Sequence, residues 1–181
     1  MINLNLVQDI VSKIQIDINE IDILDALQNR KRWPQYYPWG QPSVEIINNN
    51  ENSTNFFFEI DGYLDYEKWK NFYNLGYTTI ISNVLDLNND LRKLDKLLID
   101  ATGLKINANL YFSQPGQIPS FSKHLHNYDV IVKQIYGESS WVIDNKEFII
   151  QKNDTCLIPK NTYHQVISKK NKKLSLTINI Q

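Results

Sequence analysis

The sequence predicts an α+β fold in which N-terminal helices pack on a C-terminal β barrel or sandwich. Three observations predict it. From residue 105 to the end the apolar period is two, as side chains alternating across a strand require. Before that point, apolar residues recur at three- and four-residue spacing, the signature of amphipathic helices. Short strand-like runs punctuated by turn residues crowd the last third, a pattern of sandwiches and barrels.

Taken in order, Leu6, Ile10, Val11 and Ile14 form one helical stripe and Ile21, Leu24 and Leu27 a second. An aromatic and proline cluster at 33–40 forbids continuous helix. Its rings either pin the N-terminal segment to the core or wall a substrate site. A polar loop at 48–52 precedes a short strand at 56–60. Asp65 caps a helix running to about Asn74, with Gly76 as its stop. A buried strand follows at 78–84. Asn88, Asn89 or Asp90 caps a helix carrying Leu91, Leu94, Leu97, Leu98 and Ala101 on one stripe, and Gly103 ends it. Next, Lys105, Asn107, Asn109, Tyr111 and Ser113 alternate with Ile106, Ala108, Leu110 and Phe112, so one strand face is polar and the other apolar. Further strands are expected at 129–136, 141–143, 147–151, 155–158, 163–168 and 174–180. Turns lie at 144–146 and at the basic run 169–173, which reads as a solvated, edge-protecting turn. A polar strand face inside a barrel lines a cavity. The whole reads as one domain, 1–181, with residues 1–104 as the N-terminal helical and strand part and 105–181 as the barrel core.

Composition narrows the function. The 181 residues include 19 Lys and Arg against 20 Asp and Glu, for a net charge of −1. Nucleic-acid and membrane-surface binders need clustered positive charge, so neither partner is expected. The single cysteine, Cys156, cannot form an intramolecular disulfide; it sits in an apolar run and reads as a packing residue. No signal peptide and no apolar run of transmembrane length is visible, so the expected location is cytoplasmic. No phosphate-binding Gly-rich loop or Gly-x-Ser-x-Gly elbow occurs.

The three histidines carry the functional reading. His124 and His126, at i and i+2, share a face if their segment is a strand, close enough to hold one metal ion. His164 follows a proline-containing turn and enters a later strand that a barrel can bring alongside. The alternative is a surface pair and an unrelated core histidine.

The stretch from Asn109 to Ile180 resembles the JmjC-like cupins, especially the ribosomal-oxygenase and asparaginyl-hydroxylase-like branch. The matching text is Phe112-Ser113-Gln114-Pro115-Gly116, then His124-Leu125-His126-Asn127-Tyr128-Asp129-Val130, then Gln134, Gly137 and Trp141. The segment from Asn153 to His164, with its proline turn before the distal histidine, resembles the second cupin motif. The resemblance implies a double-stranded β-helix, the cupin or jelly-roll barrel. It implies hydroxylation of a peptide, protein or small-molecule substrate by Fe(II), dioxygen and 2-oxoglutarate, with His124, His126 and His164 as metal ligands. It leaves dimerisation to the N-terminal part or to barrel loops, making a homodimer a possible partner state.

Two departures follow. His126 stands where the family has a carboxylate, so three neutral ligands leave the site one unit more positive, and such a set also suits zinc. Asp129, the nearest carboxylate, alternates away and reaches the ion only across a bulge. The family places Arg or Lys just before the tryptophan to pair with the 2-oxoglutarate carboxylate; here Ser140 precedes Trp141. A carboxylate then needs other partners: Lys105, Asn107, Asn109, Tyr111 and Ser113 on the polar face, with Lys133 an alternative if its strand is bulged. Two further functions stay open. One is a three-histidine cupin without 2-oxoglutarate, as a direct dioxygenase or zinc lyase or isomerase. The other is a catalytically degenerate binding module.

Overall fold

The computed structural model describes residues 2–29, 44–48, 51–52, 63–116 and 119–181. The aromatic cluster at 33–40 and the strand expected at 56–60 lie outside the described residues.

Four helices form where the apolar stripes and caps place them, although Leu6, Ile21 and Leu97 of the expected stripes are exposed. Helix α1 (Leu4–Lys13) is capped by Asn3 and buries Val7 and Val11, and α2 (Glu20–Asn29) buries Ile23, Ala26 and Leu27. Helix α3 (Tyr66–Asn74) begins at Asp65, whose carboxylate accepts the Lys68 amide at 3.0 Å. Helix α4 (Asn89–Thr102) is capped by Asn88, whose Oδ1 accepts the Leu91 amide at 2.9 Å; it ends at Gly103 in the left-handed region. Each cap satisfies an amide that the helix itself cannot, worth about 1 kcal/mol.

The strands pair into two antiparallel sheets. The larger has the order β2 (Glu51–Asn52), β1 (Val44–Asn48), β3 (Thr78–Ile81), β4 (Asn107–Ser113), β10 (Lys173–Ile180), β5 (Asp129–Tyr136) and β8 (Thr155–Ile158). The smaller has the order β7 (Lys146–Ile150), β6 (Ser139–Ile143) and β9 (His164–Lys169). The N-terminal part thus adds three strands to the larger sheet as well as helices. The chain leaves β3 earlier than expected, after Ile81, and Asn83 adopts a φ of 53°.

The period-two pattern sorts the chemistry. Ala108, Leu110 and Phe112 of β4 and Leu174, Leu176, Ile178 and Ile180 of β10 join Leu91, Leu94 and Leu98 of α4 in the main core, under the helices. Each such side chain, fully buried, contributes about 1.5–3 kcal/mol. Tyr73 stacks on Phe112 at 4.7 Å, tying α3 to the same face. A second, smaller core of Val130, Val132, Trp141, Ile143, Ile150 and Ile158 draws on both sheets, and Cys156 packs against it. Burial there raises the Cys156 thiol pKa, which suits a packing residue rather than a nucleophile.

The other face of β4 and β10 is polar throughout. Register pairs Asn107 with Asn179, Asn109 with Thr177, Tyr111 with Ser175 and Ser113 with Lys173. Directly opposed residues share a face, so this row turns away from the helices. It places polar groups where the two sheets meet.

Candidate metal centre

The segment before β5 is irregular, so the strand condition for the His124–His126 pair is met only in part. Only His124 pairs, in an isolated antiparallel bridge with His164. Main-chain bonds run both ways, His124 N to His164 O at 3.1 Å and His164 N to His124 O at 2.8 Å. The Asn161 amide donates to His126 O. These bonds hold the 124–126 segment extended against the start of β9, so both imidazoles still face one way.

The three rings meet. Their centroids lie 4.4 Å apart for His124 and His164, 5.0 Å for His124 and His126 and 5.1 Å for His126 and His164. One nitrogen from each falls within 4.8 Å of the others. An ion bound at about 2.1 Å sets cis nitrogens about 3–3.5 Å apart, so small ring rotations suffice. The Nδ1 of His124 meets Ser122 O at 2.8 Å, and that of His164 meets Thr162 O at 2.9 Å. With each Nδ1 on a main-chain carbonyl, both Nε2 atoms are the nitrogens left to face an ion.

The protonation states agree. Burial first, and then the neighbouring His124 and His164, push the His126 pKa down to about 4. Burial also lowers that of His164, against a raising bond to Thr162 O. Both rings are therefore neutral near pH 7, with lone pairs available to a divalent cation. The linkage sign follows. Below about pH 6.5 the unfolded chain protonates these rings while the fold does not, so stability falls as pH drops toward 4. The metal-free protein is expected to lose thermal midpoint between pH 7 and 5 more steeply than His126→Gln. Equal slopes in the two proteins would refute the assignment.

A cavity of about 150 Å³ adjoins the cluster, lined by the three histidines, Tyr111, Ser120, Trp141, Val130, Val132, Ile158, Lys173, Ser175 and Thr177 among others. Lys173 is 3% exposed. Its Nζ donates to Ser175 Oγ at 3.2 Å and lies 5.6 Å from the Trp141 ring centroid. Ser175 Oγ in turn donates to Gln134 Oε1 at 2.9 Å, and Ser139 bridges Gln134 to Trp141 Nε1. Among the described residues lining the cavity none is Asp or Glu. The cavity thus joins a three-imidazole cluster to a buried lysine, in walls that are otherwise apolar or hydroxylic.

The remaining sequence candidates separate. Tyr111 lines the cavity, its phenol pKa raised chiefly by burial and then by nearby Tyr128. Asn109 Oδ1 accepts the Asn83 amide at 3.3 Å. Ser113 is buried opposite Lys173, and Asn107 is half-buried in the pair at the far end of the row. Lys105 precedes β4 and is exposed. Lys133, 2% exposed, faces the helices instead, donating to Val11 O at 2.8 Å and Ser12 O at 3.2 Å at the end of α1. Asp129 turns away and accepts the Lys160 amide at 2.9 Å. The basic run is not wholly a solvated turn: Lys172 reaches out to Glu20 at 3.0 Å, while Lys173 turns in.

Lys173 is the residue that sequence reasoning missed. Its signal was present: Lys173, Ser175, Thr177 and Asn179 alternate with Leu174, Leu176, Ile178 and Ile180, the same polar-in, apolar-out pattern as β4.

Two antiparallel sheets, helices packed on the larger and a three-histidine cluster beside a cavity make a cupin-type fold with three nitrogen donors that could hold a divalent metal. No protein-family model matches the chain, and no curated protein matches it in sequence. Among solved structures it is similar to YcfD, a ribosomal oxygenase from Escherichia coli, with a TM-score of 0.62 and 14% identity over 92% of this chain and 44% of that one. The same oxygenase in complex with cobalt and succinic acid matches with a TM-score of 0.61 and 15% identity, at the same coverage. The chain therefore spans less than half the length of that oxygenase. No helix among the described residues is long and apolar enough to cross a membrane.

Proposed function

We propose that the chain is a mononuclear Fe(II) oxygenase of the JmjC-like cupin type, using 2-oxoglutarate to hydroxylate a peptide, protein or small-molecule substrate. The observation that carries this reading is Lys173, a buried lysine facing the same cavity as the histidine cluster. A carboxylate entering the cavity beside Lys173 would meet a charge-assisted hydrogen-bond donor there. The oxygenase of similar fold binds cobalt and succinic acid, a divalent metal with a small dicarboxylate, which supports the same pairing here.

In this reading His124, His126 and His164 hold the ion, which when bound supplies activation of dioxygen. Lys173, seconded by the Ser175 hydroxyl, binds the distal carboxylate of the cosubstrate. Gln134 and Ser139 hold Ser175 and Trp141 in place through their hydrogen bonds. Val130, Val132, Ile158 and Val166 exclude water around the cosubstrate chain. That exclusion strengthens the Lys173–carboxylate attraction.

The test is an anaerobic 2-oxoglutarate titration of the Fe(II)-loaded protein, with oxygen consumption measured alongside. Lys173→Ala is expected to weaken 2-oxoglutarate binding about 10–100-fold, as loss of a charged hydrogen-bond partner implies. Lys173→Arg is expected to retain part of it. Undiminished binding by Lys173→Ala contradicts the proposal. A second reading has its own support, because three neutral imidazoles with an open fourth position suit zinc. A protein isolated with zinc that binds no 2-oxoglutarate favours a zinc lyase or isomerase instead.

A further inference from the structure

Two of the three imidazoles are locked by one device and the third is not. His124 and His164 each engage Nδ1 with the carbonyl two residues earlier, at 2.8 and 2.9 Å. For His126 the equivalent carbonyl belongs to His124, and the His164 amide already occupies it at 2.8 Å. That carbonyl thus serves the bridge that brings the histidines together. Among the described residues no carbonyl or carboxylate is hydrogen-bonded to the His126 ring. It lies nearly parallel to Tyr128 instead, with centroids 4.9 Å apart and planes 14° from each other.

We propose that Tyr128 is the positioning residue for His126, its ring face doing for the third ligand what the Ser122 and Thr162 carbonyls do for the other two. The stack fixes the plane of the imidazole and so the direction of its nitrogen lone pair. An aromatic pair of this kind contributes about as much as a neutral hydrogen bond, so the substitution of one device for the other is energetically even. The ring rather than the phenol hydroxyl is the working part. His126 also occupies the position where the resembled family has a carboxylate, and this stack is the local means by which the chain accommodates an imidazole there. The inference rests on reading the cluster as a metal centre.

The experiment is a Co(II) titration by calorimetry, with the visible d–d spectrum recorded on the same samples. It uses wild type, Tyr128→Phe, Tyr128→Leu, Tyr128→Ala, His126→Ala and the double variant His126→Ala/Tyr128→Ala. Tyr128→Phe is expected to bind within about twofold of wild type, because it keeps the ring. Tyr128→Ala and Tyr128→Leu are expected to weaken Co(II) roughly 3–10-fold, with spectra displaced toward that of His126→Ala. Leucine keeps the bulk, so it reads the loss of the ring face even if alanine perturbs folding. In the His126→Ala background, Tyr128→Ala is expected to have no further effect. Wild-type affinity and spectrum in Tyr128→Leu overturn the proposal, as does an equal loss with and without His126. Failure of wild type to bind Co(II) overturns the metal-centre reading itself, and this inference with it.

Discussion

Replacing His164 with alanine is expected to abolish stoichiometric metal binding while leaving the fold in place. His164 is buried at the start of β9, with its Nδ1 taken by Thr162 O, so its Nε2 is oriented before any ion arrives. Removing an outer-shell partner typically costs 10–100-fold in metal affinity, so removing an oriented ligand costs more than about 100-fold. The pairing of residues 124 and 164 runs through main-chain amides and carbonyls, which alanine retains. The variant loses packing around a buried ring, about 1–3 kcal/mol by comparison with other large-to-small changes. Elemental analysis of protein loaded with Fe(II) or Co(II), read beside a thermal melt, checks both parts. A variant that stays folded and retains one equivalent of metal places the ion elsewhere.

The second large effect is on stability, and it comes from a residue with no side chain. Gly137 links β5 to β6 with a φ of 78°. A β-carbon there would fall 2.3 Å from Lys172 O and 2.8 Å from Lys173 Cα. Both are main-chain atoms, so a side-chain rotation cannot relieve the clash. Gly137→Ala adds the left-handed penalty of about 1–2 kcal/mol to an overpacking cost of about 1–3 kcal/mol. For a chain of this size each kcal/mol is worth about 2–4 °C, so the thermal midpoint is expected to fall by about 5–15 °C. The displaced atoms belong to Lys172 and Lys173, so on the proposed function 2-oxoglutarate affinity is expected to fall as well, although residue 137 does not line the cavity. A midpoint within 2 °C of wild type contradicts the account of the turn.

Much of the architecture was legible because it follows from local rules. The helices α1 and α4, the caps at Asp65 and Asn88 and the stop at Gly103 are short-range features and are observed, although Leu6 and Leu97 of the expected stripes face solvent. The alternation of β4 likewise specified an apolar face and a polar one, and only the apolar face could be buried under helices. The histidine pair was legible as a spacing and the third ring as a motif resemblance. Their meeting depended on a bridge between residues forty apart, which no local rule supplies.

Lys133 and Lys173 mark where that reading ends. Both are lysines in strand segments, and both are buried. One closes the end of α1 through two carbonyls; the other enters the cavity lined by the three histidines. Period-two alternation says that residues 173 and 175 share a face, but not which way that face turns. The pairing of Ser113 with Lys173 and of Tyr111 with Ser175 decides it, by setting β10 beside β4 with the polar rows aligned. Adjacent Lys172 then points to Glu20 at the surface while Lys173 turns inward. By itself the sequence determined the α+β class, the strand periodicity and the set of possible ligands, because these depend on neighbours within a few residues. Only the tertiary structure decided which lysine joins the histidines and which ring lies against His126. Strand register and carbonyl occupancy are properties of paired segments, and neither segment encodes them alone.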